Sequence, residues 1–456
     1  MASSDGPAGV LLVYLDFFRD PQRSFFNELH DRLLHEGLRL TILASAPAEG
    51  VRAEVIPIPF SLIGLSEHIR LPHPPALARP RLEEWKLRER LWYRGTRPEP
   101  GDADVRNFYG YVRLLARQRR AVLGFSWNRF IPLSDVFRAS LEDLGIPTLD
   151  LEHGFLPGTI MCETDGMAGF SLLARYPALH FAARATPTEE ARLRVERFRE
   201  HFRRAPVTKR AQRPAVAPRE LRARHGVPEG HEIVFFAGQV DQGVGLWPGG
   251  TPWARLQSPW FEGTEDALAA LAAWARARPR TTVLFKPHPT DRWENSGRSV
   301  PEGARLVEDE NLHSLFDASA ILVTLASTVL FEALTLGKPV VTLARHQLSG
   351  QGVTYDPDGR DGLAAALEAA LGRCDLDERL RRYDRFLAFA LDSYLIGLGP
   401  ESPARLGVAD LVEFLKECRK TPVLVPPVVG PAAGADRSGG GPAPLLGAPE
   451  RIAVSD

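Results

Sequence analysis

The sequence predicts an α/β protein of two domains that face one another across a central cleft. Three observations carry that reading. Apolar runs of strand length alternate with segments of helical period in two separate sets, the pattern of parallel sheets joined by helical crossovers. A charge-dense stretch punctuated by prolines, "RAPVTKRAQRPAVAPRE" at 204–220, stands between the two sets. The length, 456 residues, favours two domains over one.

The first set opens at 9–15, an apolar strand. The run "VLLVYLDFF" is too short to span a bilayer and carries Asp16. In "SFFNELHDRLLHEG" (24–37), Phe25, Phe26, Leu29, Leu33 and Leu34 recur at helical spacing, and Gly37 marks the stop. "LRLTILAS" (38–45) is the next strand, which completes a β-α-β unit. Residues 46–118 are rich in Pro, Arg and Trp and are expected to hold helices that form one wall of the cleft. Strand 121–127, helix 133–145 and strand 148–152 repeat the pattern.

The second set begins with "EIVFFAG" (232–238). Helix 264–278, strand "TTVLF", strand 321–326, helix 328–337 and strand 339–344 follow. Two helical segments come next, roughly 376–397 and 402–418. The stretch 421–456 is rich in Pro, Gly and Ala with little to bury, so it is expected to be disordered. The chain thus divides into a Rossmann-like domain at 8–205, a linker at 206–230, a second Rossmann-like domain at 231–372, helices at 373–420 and a tail.

Composition excludes some functions. Lys plus Arg is 56 and Asp plus Glu is 57, without the basic excess of a general nucleic-acid binder. The three cysteines, Cys162, Cys374 and Cys418, have neither CxxC nor zinc-like spacing, which fits a reducing compartment. A cytoplasmic protein is expected, with peripheral placement at the inner membrane face left open.

Four stretches could carry chemistry. In "FKPHPTDR" (285–292), Lys286 and His288 follow a strand end, where open parallel sheets bind ligands. Two donors there suit a phosphate oxygen, although a rigid surface turn reads equally well. Ser327 and Thr328 sit at a strand-to-helix junction, where helix N-termini attract anions. Glu332, one turn in, suits ribose hydroxyls. In "LEHGFLPGTIMCETDG" (151–166), Glu152 ends a strand and could act as acid, base or anchor. His153 reads as structural, and Glu163 and Asp165 as solvated or cleft-lining. In "FFAGQVDQGVG" (235–245), Gln239 and Asp241 leave the first strand of the second domain, and Asp241 could present a carboxylate nucleophile. Arg129, in "SWNRF", suits a carboxylate or phosphate of donor or acceptor, or the surface. "DAD" (102–104) and "DPD" (356–358) read as turns, so no metal is assigned.

Together these motifs resemble the capsule-polysaccharide biosynthesis family, bacterial β-Kdo glycosyltransferases that use CMP-Kdo. Glu152, Gly154, Phe155, Pro157 and Gly166 match its E-x-G mark, and Lys286, His288 and Pro289 its K-x-H-P mark. Its serine-to-helix mark is met by Ser327, Phe331, Glu332, Ala333, Leu334, Gly337, Lys338, Pro339 and Val340. Gly352, Val353, Thr354 and Asp356 match a last run. The resemblance spans about 10–360 and implies the GT-B architecture, with the acceptor on the first domain and the CMP-sugar on the second. It implies that Gln239, Lys286, His288, Ser327, Thr328 and Glu332 hold the donor. It implies a retaining double displacement with Asp241 as nucleophile and Glu152 as acid/base, and no cofactor beyond the CMP-sugar. The family places its aspartate farther along; here Asp241 stands two residues after Gln239. The expected partners are the donor and a glycan or glycolipid acceptor, with peripheral membrane or export-complex association left open and no nucleic acid. The rival readings are a CMP-sialic acid or CDP-linked polymer transferase, or a non-catalytic glycan-binding assembly subunit.

Overall fold

The computed structural model describes residues 9–16, 20–45, 48–93, 96–164, 166–176, 186–204, 212–247, 249–291, 293, 297–399 and 401–420, the last three without side chains. Asp165, the Cys418 side chain and the tail 421–456 lie outside the described residues. Among those described, no helix is long and apolar enough to cross a membrane.

Two sheets form. The first has seven strands: β1 (Gly9–Leu15), β2 (Leu38–Ala44), β3 (Glu54–Pro57), β4 (Ala121–Trp127), β5 (Thr148–His153), β6 (Thr159–Glu163) and β12 (Ile396–Gly397). Their order is β12-β6-β5-β4-β1-β2-β3, parallel from β3 to β5 and antiparallel beyond. Every residue of β1 is buried, as expected where helices cover both faces of a parallel sheet. One face carries Phe25, Phe26, Leu29 and Leu33 of the helix Asp20–His35. Leu34, counted with that apolar stripe in the sequence, is 49% exposed. The other face carries Trp85 and Phe108, from helices Arg79–Trp92 and Asp102–Arg119 of the Pro- and Arg-rich segment.

The second sheet is wholly parallel: β7 (Glu232–Ala237), β8 (Thr281–Lys286), β9 (Ala304–Leu306), β10 (Ile321–Thr324) and β11 (Val340–Thr342). Its order is β11-β10-β7-β8-β9. Residues 212–230 do not hang between the domains. Val216 N donates to Ser314 Oγ (2.8 Å), Leu312 N donates to Gln212 Oε1 (2.6 Å), and Leu221 is fully buried.

The chain then returns to the first domain. Helix Leu376–Phe389 runs into a π turn, and β12 adds to β6 with Ile396 opposite Ile160. Val408, Leu411, Val412 and Leu415 of the helix Val408–Lys420 join the core that holds Phe25 and Phe26. One further core spans both domains: Phe155, Leu156 and Met161 pack with Leu330, Phe331, Phe386 and Leu387. The Phe155 ring stacks on Phe331 at 4.0 Å between centroids. The two motif aromatics therefore join the domains along one side and leave a cleft on the other.

Candidate active site in the interdomain cleft

The cleft holds a cavity of about 430 Å³, within the size range of small-molecule sites. The carboxyl ends of β7, β8 and β10 supply its second-domain wall, as the rule for open parallel sheets requires. Gln239, Lys286, His288, Ser327, Thr328 and Glu332 all line it. The first domain contributes Asp16, just past β1, and Glu152 and His153, which end β5.

Each donor is oriented by a neighbour. Lys286 Nζ donates to the Glu308 carbonyl at 2.6 Å, which fixes the ammonium while an ammonium carries three donors. The Thr290 N–H donates to His288 Nδ1 at 3.2 Å. Thr290 Oγ1 lies 2.7 Å from the same nitrogen, so Thr290 holds the imidazole by its Nδ1 side. Gln239 is 3% exposed, and its Oε1 accepts from Ala326 N at 3.1 Å. The amide is thereby turned, and its buried Nε2 has no hydrogen-bond partner among the described residues. At the β10–helix junction, Ser327 Oγ accepts from Val329 N at 3.5 Å. Thr328 takes the N-cap position of the helix Val329–Thr335 without a side-chain cap bond. Glu332 is buried in the same wall.

On the first-domain wall, Glu152 Oε1 accepts from His153 N at 2.8 Å. His153 sets its ring edge-on to Trp127, 5.1 Å between centroids. Gly154 follows because a Cβ there would overlap the Thr159 side chain, closed against it by the Gly154 N to Thr159 O bond of 2.8 Å.

Three sequence-named residues lie elsewhere. Asp241 is not among the residues lining the cavity. Its Oδ2 accepts from Thr264 N (2.9 Å) and its Oδ1 from Thr264 Oγ1 (2.8 Å), at the start of the helix Thr264–Ala277. Its carboxylate is thus tied to the first residue of that helix and is not a cavity carboxylate. Arg129 also misses the cavity lining. It pairs with the fully buried Asp150 at 3.5 Å, and its guanidinium lies 5.3 Å from the Phe170 ring centre. Burial, then the nearby Arg138, pulls its pKa down. Glu163 is fully buried, accepting from Leu172 N (3.1 Å) and from the Tyr394 hydroxyl. In the two acidic triplets, Asp102 binds Lys86 (3.0 Å), Asp104 accepts from Ser66 N (2.8 Å), and Asp356 accepts from Thr354 Oγ1 (2.6 Å).

Residues 253–365 match the family model described as capsule polysaccharide biosynthesis protein. That match takes in Lys286, His288, Ser327, Thr328 and Glu332, so most of the cavity's second-domain wall lies on the matched segment. A curated relative, Protein FixF of Sinorhizobium fredii (strain NBRC 101917 / NGR234), is 26% identical over 279 residues, 60% of this chain. The chain covers 61% of that relative's length. Among solved structures, Thermosulfurimonas dismutans KpsC, β-Kdo 2,7 transferase, aligns at TM-score 0.39 and 18% identity, covering 68% of this chain and 89% of that one. The 2,4 transferase of the same organism aligns at TM-score 0.42 and 18% identity, covering 59% and 79%.

The family's last motif also finds a place. Asp356 accepts from Thr342 Oγ1 (2.5 Å), which contacts His346 Nε2 at 3.0 Å. His346 Nδ1 accepts from Leu348 N at 3.2 Å, and burial pulls the ring pKa down to about 4. This network, an uncharged imidazole joined through Thr342 to the Asp356 carboxylate, shapes the 345–356 loop, whose Gln347 lines the cavity beside Met161. Sequence reasoning missed Asp16, which it treated only as a charge interrupting an apolar run. Its position past a central strand end is the signal that singled out Glu152.

Proposed function

We propose that this protein is a glycosyltransferase of surface-polysaccharide synthesis. It takes Kdo or a related nonulosonate from a CMP-activated donor and passes it to a glycan or glycolipid hydroxyl. One observation carries the reading: Gln239 Nε2, buried and without a partner among the described residues, shares a cavity wall with Lys286 and His288. Their donor groups suit a phosphate monoester. Such fixed donors stabilise the charge that develops as the sugar–phosphate bond breaks. Glu152, across the cavity, takes the acceptor hydroxyl's proton as its oxygen bonds to the anomeric carbon.

A retaining double displacement needs a carboxylate at that carbon. Asp241 meets the need only if Thr264 releases it and the loop turns; Asp16 and Glu152 already line the cavity. The tied Asp241 also favours a second reading, a glycan-binding subunit that has kept the fold. Incubation with a panel of CMP-, CDP- and UDP-sugars separates them. Release of CMP from CMP-Kdo supports the transferase, release from CDP donors alone replaces the donor, and no release from any donor supports the binding subunit.

A further inference from the structure

Two helices of the second domain begin at the interdomain cavity. Leu312 opens the helix Leu312–Ala318 and Val329 opens the helix Val329–Thr335, and both line the cavity together with Phe235. Leu315 and Phe316 of the first helix share one core with Leu330 and Phe331 of the second, so the two lie on the same face of the sheet. Glu332 and Gln212 add polar groups to this apolar lining.

Gln212 comes from the segment that precedes the second domain, and that segment is fastened where it meets the cavity. Leu312 N donates to Gln212 Oε1 at 2.6 Å. Asn311 Nδ2 donates to Arg213 O (2.8 Å), Arg213 pairs with Asp309 (3.1 Å), and Val216 N donates to Ser314 Oγ (2.8 Å). A backbone N–H only donates, so the Leu312 contact settles which end of the amide is oxygen. Nε2 is the end left for a ligand, and it too only donates. The phosphate donors are close in the chain's own wiring: Lys286 Nζ donates to Glu308 O, just ahead of Asn311 and Leu312.

A nucleoside monophosphate has parts to match each of these groups. With its phosphate on Lys286 and His288 and its ribose hydroxyls on Glu332, a flat base packs against Leu312 and Val329 and turns its polar edge to Gln212. A donor at that edge tells the pyrimidines apart at N3, which is a bare acceptor in cytosine and carries a proton in uracil. We infer that Gln212 reads the nucleobase: its Nε2 donates to cytosine N3 and sets a preference for cytidine over uridine nucleotides. This rests on the donor site of the transferase reading.

CMP and UMP titrated into the full chain by calorimetry test it. Wild type should bind CMP about tenfold more tightly than UMP, a difference of about 1.4 kcal/mol. Gln212→Glu keeps an acceptor for Leu312 N and replaces the donor by a second acceptor. Its added charge repels both phosphates alike and cancels in the ratio, so the preference should fall to about one or invert. Gln212→Leu, which offers the base no hydrogen bond, should also narrow it. CMP binding without a preference over UMP overturns the inference and leaves the donor reading standing. So does an unchanged preference in both folded variants, even with weaker binding overall, because a purely structural glutamine would weaken both nucleotides equally. Wild type that binds neither nucleotide, or binds UMP the more tightly, sinks the donor reading and the inference together.

Discussion

Phe155→Ala tests whether the two domains are joined by a true core. Phe155 is 1% exposed, and its ring lies 4.0 Å from Phe331 at an interplanar angle of 16°. Phe386 and Tyr394 lie 5.8 and 6.2 Å away. Removing a fully buried phenylalanine costs about 3–5 kcal/mol in transfer and cavity terms. The stacked pair adds roughly 0.5–1.5 kcal/mol that depends on both partners. Urea unfolding followed by tryptophan fluorescence should therefore show a loss of about 3–5 kcal/mol for Phe155→Ala. In a double-mutant cycle with Phe331→Ala, the coupling should be about 0.5 kcal/mol or more. A single-mutant loss below about 1 kcal/mol, with no coupling, would refute the reasoning: the domains would then be joined by the chain alone.

Asp241→Ala removes the carboxylate that accepts from Thr264 N and Oγ1; it should lower stability by about 1.5–3 kcal/mol, the usual net value of hydrogen bonding to a charged group, and leave CMP binding by calorimetry unchanged. A sugar adduct found by mass spectrometry on the Asp241 peptide would show that the loop turns during the reaction. The His346 pKa, lowered by burial to about 4, sets a pH dependence. The unfolded chain binds that proton below about 6.5 and the folded chain only near 4, so the contribution is present above 6.5 and lost as pH falls towards 4. The melting temperature should fall more steeply across that window in wild type than in His346→Gln, and equal slopes count against a buried, uncharged His346.

The alternating strands and helices were legible because period is local: β7, β8 and β10 each hold an uninterrupted apolar stretch, Ile233–Ala237, Val283–Phe285 and Ile321–Val323. The short strands were not. β9 and β12 have three and two residues, too few for any period, and β12 exists because Ile396 meets Ile160 from a distant part of the chain. Segment 376–397 read as one helix because the π turn at Ala390–Tyr394 keeps helical spacing. Lys286, His288, Gln239 and Glu152 were found by position at strand ends, a rule that needs no contacts. Asp241 followed the same rule, yet its orientation was set by Thr264, 23 residues on. Arg129 was set by Asp150, one residue of a strand whose buried face gave no sign of the pair. The motif aromatics Phe155 and Phe331 had no assigned role until their contact was seen.

The measurement closest to the central claim is the affinity for CMP, by calorimetry, of wild type, His288→Ala and Gln239→Leu. Both side chains line the cavity's second-domain wall, and a charge-assisted hydrogen bond is worth roughly 1.5–3 kcal/mol. Wild type should bind CMP, His288→Ala should bind it about tenfold or more weakly, and Gln239→Leu should also lose affinity. CMP binding of equal strength in all three folded proteins, or none in wild type, contradicts the account.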